Sequence, residues 1–422
     1  MNANIQQNKL FAASCLALLV TSLSFGIRAG VLNQQGVDFN LNASQLGTIA
    51  ATAFWGFPLA VVIGGMVVDI IGMKKLLVMA FIFHLSGILL TVFASGYWSL
   101  FISTLCIGIA NGTVEAACNP LVTSLYPNNK TTKLNHFHLW FPGGIVLGTL
   151  IVYLFNKIGL NTQLQVAVML VPTLFYGYLF AKLEFPKTER VSSGVSTKEM
   201  YKSLVNPLFF FMIICMFGTA ITELFTGQWI DVLLKNVSDN AILLLTVETG
   251  VMVIGRGFAG PVVHRFSPQG VLVISAFLAA CGLYLLGHTS GNMLFVGAVV
   301  FGMGVCYFWP TMLGFVSENL AKTGAVGINL MGGAGMFAVS IYTIFMGGFY
   351  DGLIIKKLPA GATLASYNNA PANSEMANAF AQAKQAAGPE IINVTLIIPV
   401  VLTIAFLLLF FYMKRSNKTA IA

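Results

Sequence analysis

Long apolar runs separated by short polar stretches dominate the chain. Twelve of them are long enough to cross a bilayer, at about 10–32, 45–69, 76–95, 97–124, 134–157, 163–183, 206–232, 241–264, 271–289, 292–317, 325–349 and 391–413. A membrane helix needs about 20 apolar residues, and lipid offers no partner to a free backbone group, so each run is predicted to be a helix. The runs are continuous rather than alternating, which excludes a transmembrane β-barrel. The first run follows Lys9 and continues to about Leu32 without a small-residue cleavage pattern. It reads as a span rather than a removable signal. A polar stretch at 184–205, carrying Glu184, Lys187, Glu189, Arg190, Lys198, Glu199 and Lys202, divides the runs six and six. The predicted organisation is all-α: a six-helix bundle at 1–183, a linker at 184–205 and a second six-helix bundle at 206–422. A further polar stretch, about 350–390, is rich in Ala, Asn and Gln.

Composition narrows the class. Of 422 residues, 57% are hydrophobic and 9% are charged, with a mean hydropathy of +0.83. A soluble domain carries about 25% charged residues. A soluble enzyme, a disordered chain and a nucleic-acid binder are thereby excluded. The net charge of +8 is explained by where the cations stand rather than by an acidic partner. With the N-terminus in the cytoplasm, fifteen of the 22 Lys and Arg residues fall on the cytoplasmic side. Five (Lys157, Lys235, Lys356, Lys357, Lys384) fall outside, and Arg28 and Arg256 lie inside spans. That bias predicts a multi-pass protein with both termini cytoplasmic; the membrane expected is the bacterial inner (plasma) membrane. The six cysteines lie in apolar runs without ligand spacing, so neither a disulfide framework nor a metal site is predicted, and no cofactor is expected. His136 and His138, with only distant carboxylates, also lack the spacing of a membrane metalloenzyme. The partners expected are a small-molecule substrate and the lipid bilayer, with the chain a monomer.

The two halves look like copies of one another. Gly65-Met-Val-Val-Asp69-Ile-Ile-Gly72-Met-Lys74-Lys75 follows the second run, and Gly260-Pro-Val-Val-His264-Arg265 follows the eighth. Gly65 and Gly260 are 195 residues apart, Asn135 and Asn329 are 194 apart, and Pro120 and Pro310 are 190 apart. Internal repeats of this kind are typical of secondary transporters, with the substrate site at the midplane between them. The Gly65–Lys75 segment resembles the loop signature of the major facilitator superfamily, which implies the twelve-helix fold of that superfamily. The resemblance also implies a cytoplasmic gate, here Gly65, Asp69, Gly72 and Lys74, with Gly260 and Arg265 in the second copy and Arg256 supporting it. In that copy His264 stands where the signature has Asp, and Ser267 where it has Gly.

A second pattern is narrower. Glu115-Ala-Ala-Cys-Asn119-Pro120, Tyr126-Pro127 and Leu134-Asn135-His136-Phe137-His138 are similar to the fucose–proton symporter family over about thirty residues. The similarity implies a sugar or related polyol as substrate, proton coupling, and a cavity faced by Glu115 and His138. The chain departs from that family in the first span, where the family's acidic residue would fall near Ala29 and Arg28 stands instead.

Charges inside membrane spans cost about 2.5–3.5 kcal/mol each on the insertion scale, so they face cavities or partners. Here they are Arg28, Glu115, Glu223, Glu248 and Arg256, with His84 and His138 beside them. Glu115 precedes Asn119-Pro120, where the missing donor of proline frees a backbone carbonyl, as suits a cavity wall. Glu115 and Glu223 are the candidate proton-coupling groups, against the alternative of static hydrogen bonds between helices. Arg28 and Glu223 stand 195 residues apart, the offset of the loop glycines. They could form an ion pair across the cavity, Arg28 could bind a substrate carboxylate, or each could simply hold helices together. His138, Asn119, Asn135, Asn329, Gln228 and Trp309 are the remaining candidate substrate contacts, amides and imidazole for hydroxyls and an indole for a sugar face. The glycines of Gly332-Gly333-Ala334-Gly335 and Gly143-Gly144 are read as helix packing. The predicted function is import of a monosaccharide or related sugar or glycoside by proton symport. The alternative is transport of an anionic sugar or other organic anion through Arg28, and sodium is the alternative coupling ion.

Overall fold

The computed structural model describes residues 6–41, 43–234, 241–368, 370–371 and 374–419. All regular structure among them is helical. Eleven helical stretches are long and apolar enough to cross a membrane: Gln7–Leu32, Gln45–Ile71, Met73–Val92, Tyr97–Leu125, Lys130–Lys157, Thr162–Lys182, Pro207–Phe225, Ala259–His288, Met293–Asn319, Ala321–Lys357 and Glu375–Arg415. Ala241–Gly257, at 17 residues, supplies the eighth span. The spans are numbered one to twelve in that chain order.

The helices differ from the apolar runs where backbone chemistry intervenes. The eighth span stops at Gly257 rather than about 264, and a new helix starts at Ala259. Within that helix Ser267 is non-helical, at φ 60° and ψ 159°. Pro268 follows it, and a residue before proline is pushed towards extended ψ. The polar stretch near 350–390 ends the apolar runs, but helix reaches into it from both sides. One helix runs Gly324–Lys357 and another Glu375–Thr419, because Ala, Gln and Lys are strong helix formers. The seventh span contains a single π-helical turn at Ile221–Phe225, and the tenth breaks between Val305 and Phe308.

Burial sorts the spans. The most apolar windows of the first and fourth spans are 72% buried, and that of the twelfth is 28% buried. The first and fourth are thus interior, whereas the twelfth presents Ile397, Ile404 and Leu408 outward as a lipid-facing stripe. Close backbone approach seats the second span on the fourth, where Gly108 and Gly112 meet the Ala53 and Phe57 backbones. Gly144 lies against Ser22 and Gly333 against Val62, so these glycine-rich stretches let helices pack closely. A buried polar chain ties four spans together: Tyr176 Oη to His84 Nδ1 at 2.8 Å, His84 Nε2 to Asn111 Oδ1 at 2.8 Å and Asn111 Nδ2 to Ser24 Oγ at 3.1 Å. Asn111 donates to Ser24, so its oxygen accepts the His84 Nε2 proton and Tyr176 donates to Nδ1.

The chain divides into two compact units. The first comprises Met1–Ile213, Arg256–Val263 and Pro310–Met336, and the second Ile214–Gly255, His264–Trp309 and Phe337–Ala422. Short stretches of the seventh to eleventh spans therefore belong with the first six spans.

Candidate functional site

The site of the first unit is built on the fourth span. Glu115 and Asn119 are one helical turn apart, both 3% exposed. Asn119 Nδ2 donates to Glu115 Oε2 at 2.6 Å, and His138 Nε2 lies 3.0 Å from Asn119 Oδ1. The amide nitrogen is engaged by the carboxylate, so Asn119 Oδ1 is the acceptor and His138 Nε2 carries the proton. His138 Nε2 is also 3.8 Å from Glu115 Oε2. An acid, an amide and an imidazole thus form one buried chain out of contact with bulk solvent.

His138 ends the helix Lys130–His138, and the next helix starts at Trp140. The residue four positions on, Pro142, has no N–H to give the His138 carbonyl. Arg256 Nη1 donates to the His138 carbonyl at 2.8 Å, with Arg256 itself 1% exposed. A cation at a helix C-terminus also meets the negative end of the macrodipole. The other end of this helix is capped by Glu318, whose Oε1 accepts from Thr131 N at 2.9 Å and from Thr131 Oγ1 at 2.7 Å.

Asn329 is fully buried and donates from Nδ2 to the Ala116 carbonyl at 2.9 Å. Ala116 is four residues before Pro120, so its carbonyl is the one that proline deprives of an intrahelical donor. A Cβ on Gly65 would sit 2.5 Å from Asn329 Cβ, so this glycine makes room for the asparagine. Asn135, also fully buried, donates to its own helix at Thr131 O, 2.9 Å, and to Thr311 Oγ1 at 3.3 Å.

The signature loop grips the linker. Arg190 Nε donates to Asp69 Oδ2 at 2.5 Å, and Thr188 Oγ1 donates to Asp69 Oδ1. Lys74 Nζ donates to the carbonyls of Ala181 and Leu183 at 2.9 and 3.0 Å. Gly72 makes the turn between the second and third spans at φ +86°. Glu189 pairs with Lys130 at 2.7 Å, and Lys130 also donates to Ser317 O at 2.9 Å. Gly324, at φ +57°, admits Arg190 against its backbone. In the linker, Ser196 and Glu199 form a capping box at the helix Thr197–Ser203, and those hydrogen bonds hold the Glu199 carboxyl below the usual carboxylate range.

Gly260 lies near Thr132, 3.6 Å from its nearest atom to an added Cβ. Arg265 is exposed beside the Phe266 ring. Arg28 is half-buried with its guanidinium 5.1 Å from the Phe25 ring centroid, and among the described residues it makes no hydrogen bond or ion pair.

The second unit holds Glu223, Glu248 and Trp309, all buried. Glu223 lies in the π-helical turn, a local feature frequent at functional sites. Glu248 Oε1 is 3.5 Å from where a Cβ of Gly227 would be, and Glu248 Oε2 has no hydrogen-bond partner among the described residues. Phe225 stacks on Trp229 with centroids 5.3 Å apart and meets Tyr342 edge-on at 4.9 Å. The side chain of Gln228 lies outside the described residues.

The structure thus joins Glu115, Asn119, His138 and Arg256 in one cluster and Gly65 with Asn329 beside it. Sequence reasoning missed Thr188, Glu189 and Glu318, and read Lys130 and Arg190 only as markers of sidedness. Their partners stand 59 to 187 residues away, and no local spacing announces such pairs.

A sequence model of the Major Facilitator Superfamily matches residues 14–341. The chain belongs to the Major Facilitator Superfamily. It is a multi-pass membrane protein with the fold and relatives of transporters, which are not enzymes. Among solved superfamily structures, it is similar to the transporter FucP in the outward conformation, with TM-score 0.69, 16% identity and coverage of 93% of this chain and 98% of that one. It is also similar to the proton:xylose symporter XylE, with TM-score 0.68, 14% identity and coverage of 94% of each chain. At these identities the likeness shows the fold alone. Curated relatives include the D-xylose transporter of Levilactobacillus brevis, 29% identical over 164 residues, which are 37% of this chain and 36% of that protein. The facilitated glucose transporter member 10 of Xenopus laevis is 21% identical over 164 residues, which are 39% of this chain and 30% of that protein. The chain spans about a third of the length of the curated relatives it matches.

Proposed function

We propose that this protein imports a monosaccharide or a related sugar or glycoside together with a proton, by alternating exposure of a site between two six-helix halves. The observation that carries the reading is the buried Glu115–Asn119–His138 chain. Protonation removes the charge that Asn119 and His138 face, so the chain responds to proton arrival. The sugar transporters among the relatives and structural neighbours support the substrate class. Glu223 serves as a second proton-coupling group. Arg28, Asn119, Asn135, His138, Gln228, Trp309 and Asn329 contact substrate or shape its cavity. The linker end is cytoplasmic, in a bacterial inner membrane, and Asp69, Lys74, Gly72, Gly65, Arg256, Gly260 and Arg265 form the gate there, with the chain working as a monomer.

The experiment is counterflow of a labelled sugar panel in proteoliposomes, followed by uptake with and without an inward proton gradient. Pentose or hexose accumulation that follows the gradient is the expected result. Uptake that follows a sodium gradient instead would contradict the coupling.

One observation favours a second reading. The half-buried Arg28 guanidinium faces only the Phe25 ring among the described residues, leaving a bidentate donor set for a carboxylate. A neighbour of similar fold is the human organic anion transporter MFSD10, with TM-score 0.65 and 12% identity over 94% of this chain and 99% of that one. Uronate in the panel decides: uronate transport abolished by Arg28→Gln selects this reading, and neutral-sugar uptake retained by Arg28→Gln in a chain that carries no uronate rejects it.

A further inference from the structure

Two backbone carbonyls flank the buried acid cluster, and both take their donors from late spans. Ala116 follows Glu115 directly and accepts from Asn329. His138, whose ring bonds Asn119, accepts at its carbonyl from Arg256. Neither carbonyl is an ordinary intrahelical acceptor. Pro120 removes the donor that would serve Ala116, and Pro142, four residues after His138, removes the one that would serve His138. Both donors belong to stretches, Arg256–Val263 and Pro310–Met336, that pack with the first six spans in the first unit. Asn329 is admitted by the bare backbone of Gly65, the opening residue of the signature loop.

We infer that Asn329 and Arg256 are positioning residues that make closure of the linker end and the arrangement of Glu115, Asn119 and His138 a single event. The inference rests on the reading of Glu115 as a proton site. An unpaired buried carbonyl is penalised, so the fourth span keeps its course past Pro120, and with it the Glu115 rotamer, only while Asn329 supplies the missing donor. Arg256 fixes the end of the helix that presents His138. When these stretches withdraw, both carbonyls lose their partners and the acid–amide–imidazole chain loses its two backbone anchors. Linkage makes this reciprocal: closure alters proton affinity at Glu115 by the same factor by which the proton alters closure. Asn329 therefore acts on backbone. Its oxygen, which has no hydrogen-bond partner among the described residues, is the atom left for substrate.

The test uses the full chain in proteoliposomes with Thr123→Cys, a buried position on the linker-end cleft beside Pro120. Maleimide labelling from the linker side reports opening, with labelling of the chain that keeps Thr123 subtracted. With Thr123→Cys alone, labelling is expected to change by about fivefold or more across about two pH units on either side of neutrality, the lower range of allosteric coupling. Adding Asn329→Ala or Asn329→Asp, which remove the amide donor, is expected to cut that pH dependence below about twofold. Pro120→Ala returns an intrahelical donor to the Ala116 carbonyl, so Asn329→Ala added to it should change nothing further. Equal, additive effects of Asn329→Ala with and without Pro120→Ala would overturn the inference. So would an unchanged pH dependence in Asn329→Ala. If Pro120→Ala does not fold, Arg256→Gln should reduce the pH dependence as Asn329→Ala does, with Arg256→Lys restoring part of it. Failure of the proton reading is distinguishable: pH dependence is then absent with Thr123→Cys alone, while the Asn329–Pro120 non-additivity in basal labelling persists.

Discussion

The two copies of the signature loop share a backbone and differ in what they hold. Gly72 turns at φ 86° and ψ 149°, and Ser267, 195 residues later, turns at φ 60° and ψ 159°. The repeat is therefore kept in the dihedrals although the residue has changed. In the first copy the Asp69 side chain is covered and holds Arg190 and Thr188. In the second, His264 is exposed. Gly65 is pressed on Asn329, whereas Gly260 has ordinary clearance from Thr132. The prolines explain part of the asymmetry. Pro120 sits inside the continuous helix Tyr97–Leu125 and leaves a carbonyl that an outside donor must serve. Pro310 is the third residue of a helix that starts at Phe308, where amide donors have no internal partner anyway. One copy has become a fastening and the other has remained a turn.

The difference can be broken residue by residue. Asp69→Asn should have the largest effect. It leaves the Arg190 cation buried without its partner, a class of change that costs about 3–5 kcal/mol, and His264→Asn should be neutral in thermal unfolding and uptake. Gly65→Ala comes next, because its Cβ would meet Asn329 at 2.5 Å; overpacking of this kind costs about 1–3 kcal/mol. Gly260→Ala, with 3.6 Å of clearance, should unfold and transport like the unaltered chain. Asn135→Ala should cost less than Asn329→Ala, since Asn135 serves a carbonyl of its own helix and a hydroxyl at 3.3 Å. The smallest effect has the opposite sign. Ser267→Gly relieves a strained turn and should stabilise by about 1 kcal/mol after the entropy of glycine is counted, whereas Gly72→Ser should destabilise. Equal responses in the two copies would remove the asymmetry.

Much of this was legible in the chain. Apolar runs longer than a bilayer leave only helix as an outcome, so the spans were readable from hydropathy alone. Their ends were not, because helix propensity carried Gly324–Lys357 and Glu375–Thr419 into polar sequence, and Pro268 with Ser267 interrupted apolar sequence. Glu115 could be singled out because charges inside spans are scarce in a chain with 9% charge, and Asn119 and His138 because they stand in the segments that resemble the fucose–proton symporter family. The role of Asn329 could not. Its acceptor is a backbone carbonyl 213 residues away, and only the missing donor of Pro120 hints that such a partner must exist. Lys130, Glu189 and Arg190 lie at polar ends, where charge is expected for reasons of sidedness. Sequence therefore offered no reason to pair them.

The most direct measurement is proton movement itself. Lightly buffered, de-energised vesicles are given a transported sugar while external pH is recorded. External alkalinisation is expected as proton and sugar enter together, lost in Glu115→Gln while that variant still exchanges sugar by counterflow. Sugar entry without alkalinisation, or alkalinisation undiminished in Glu115→Gln, would contradict it.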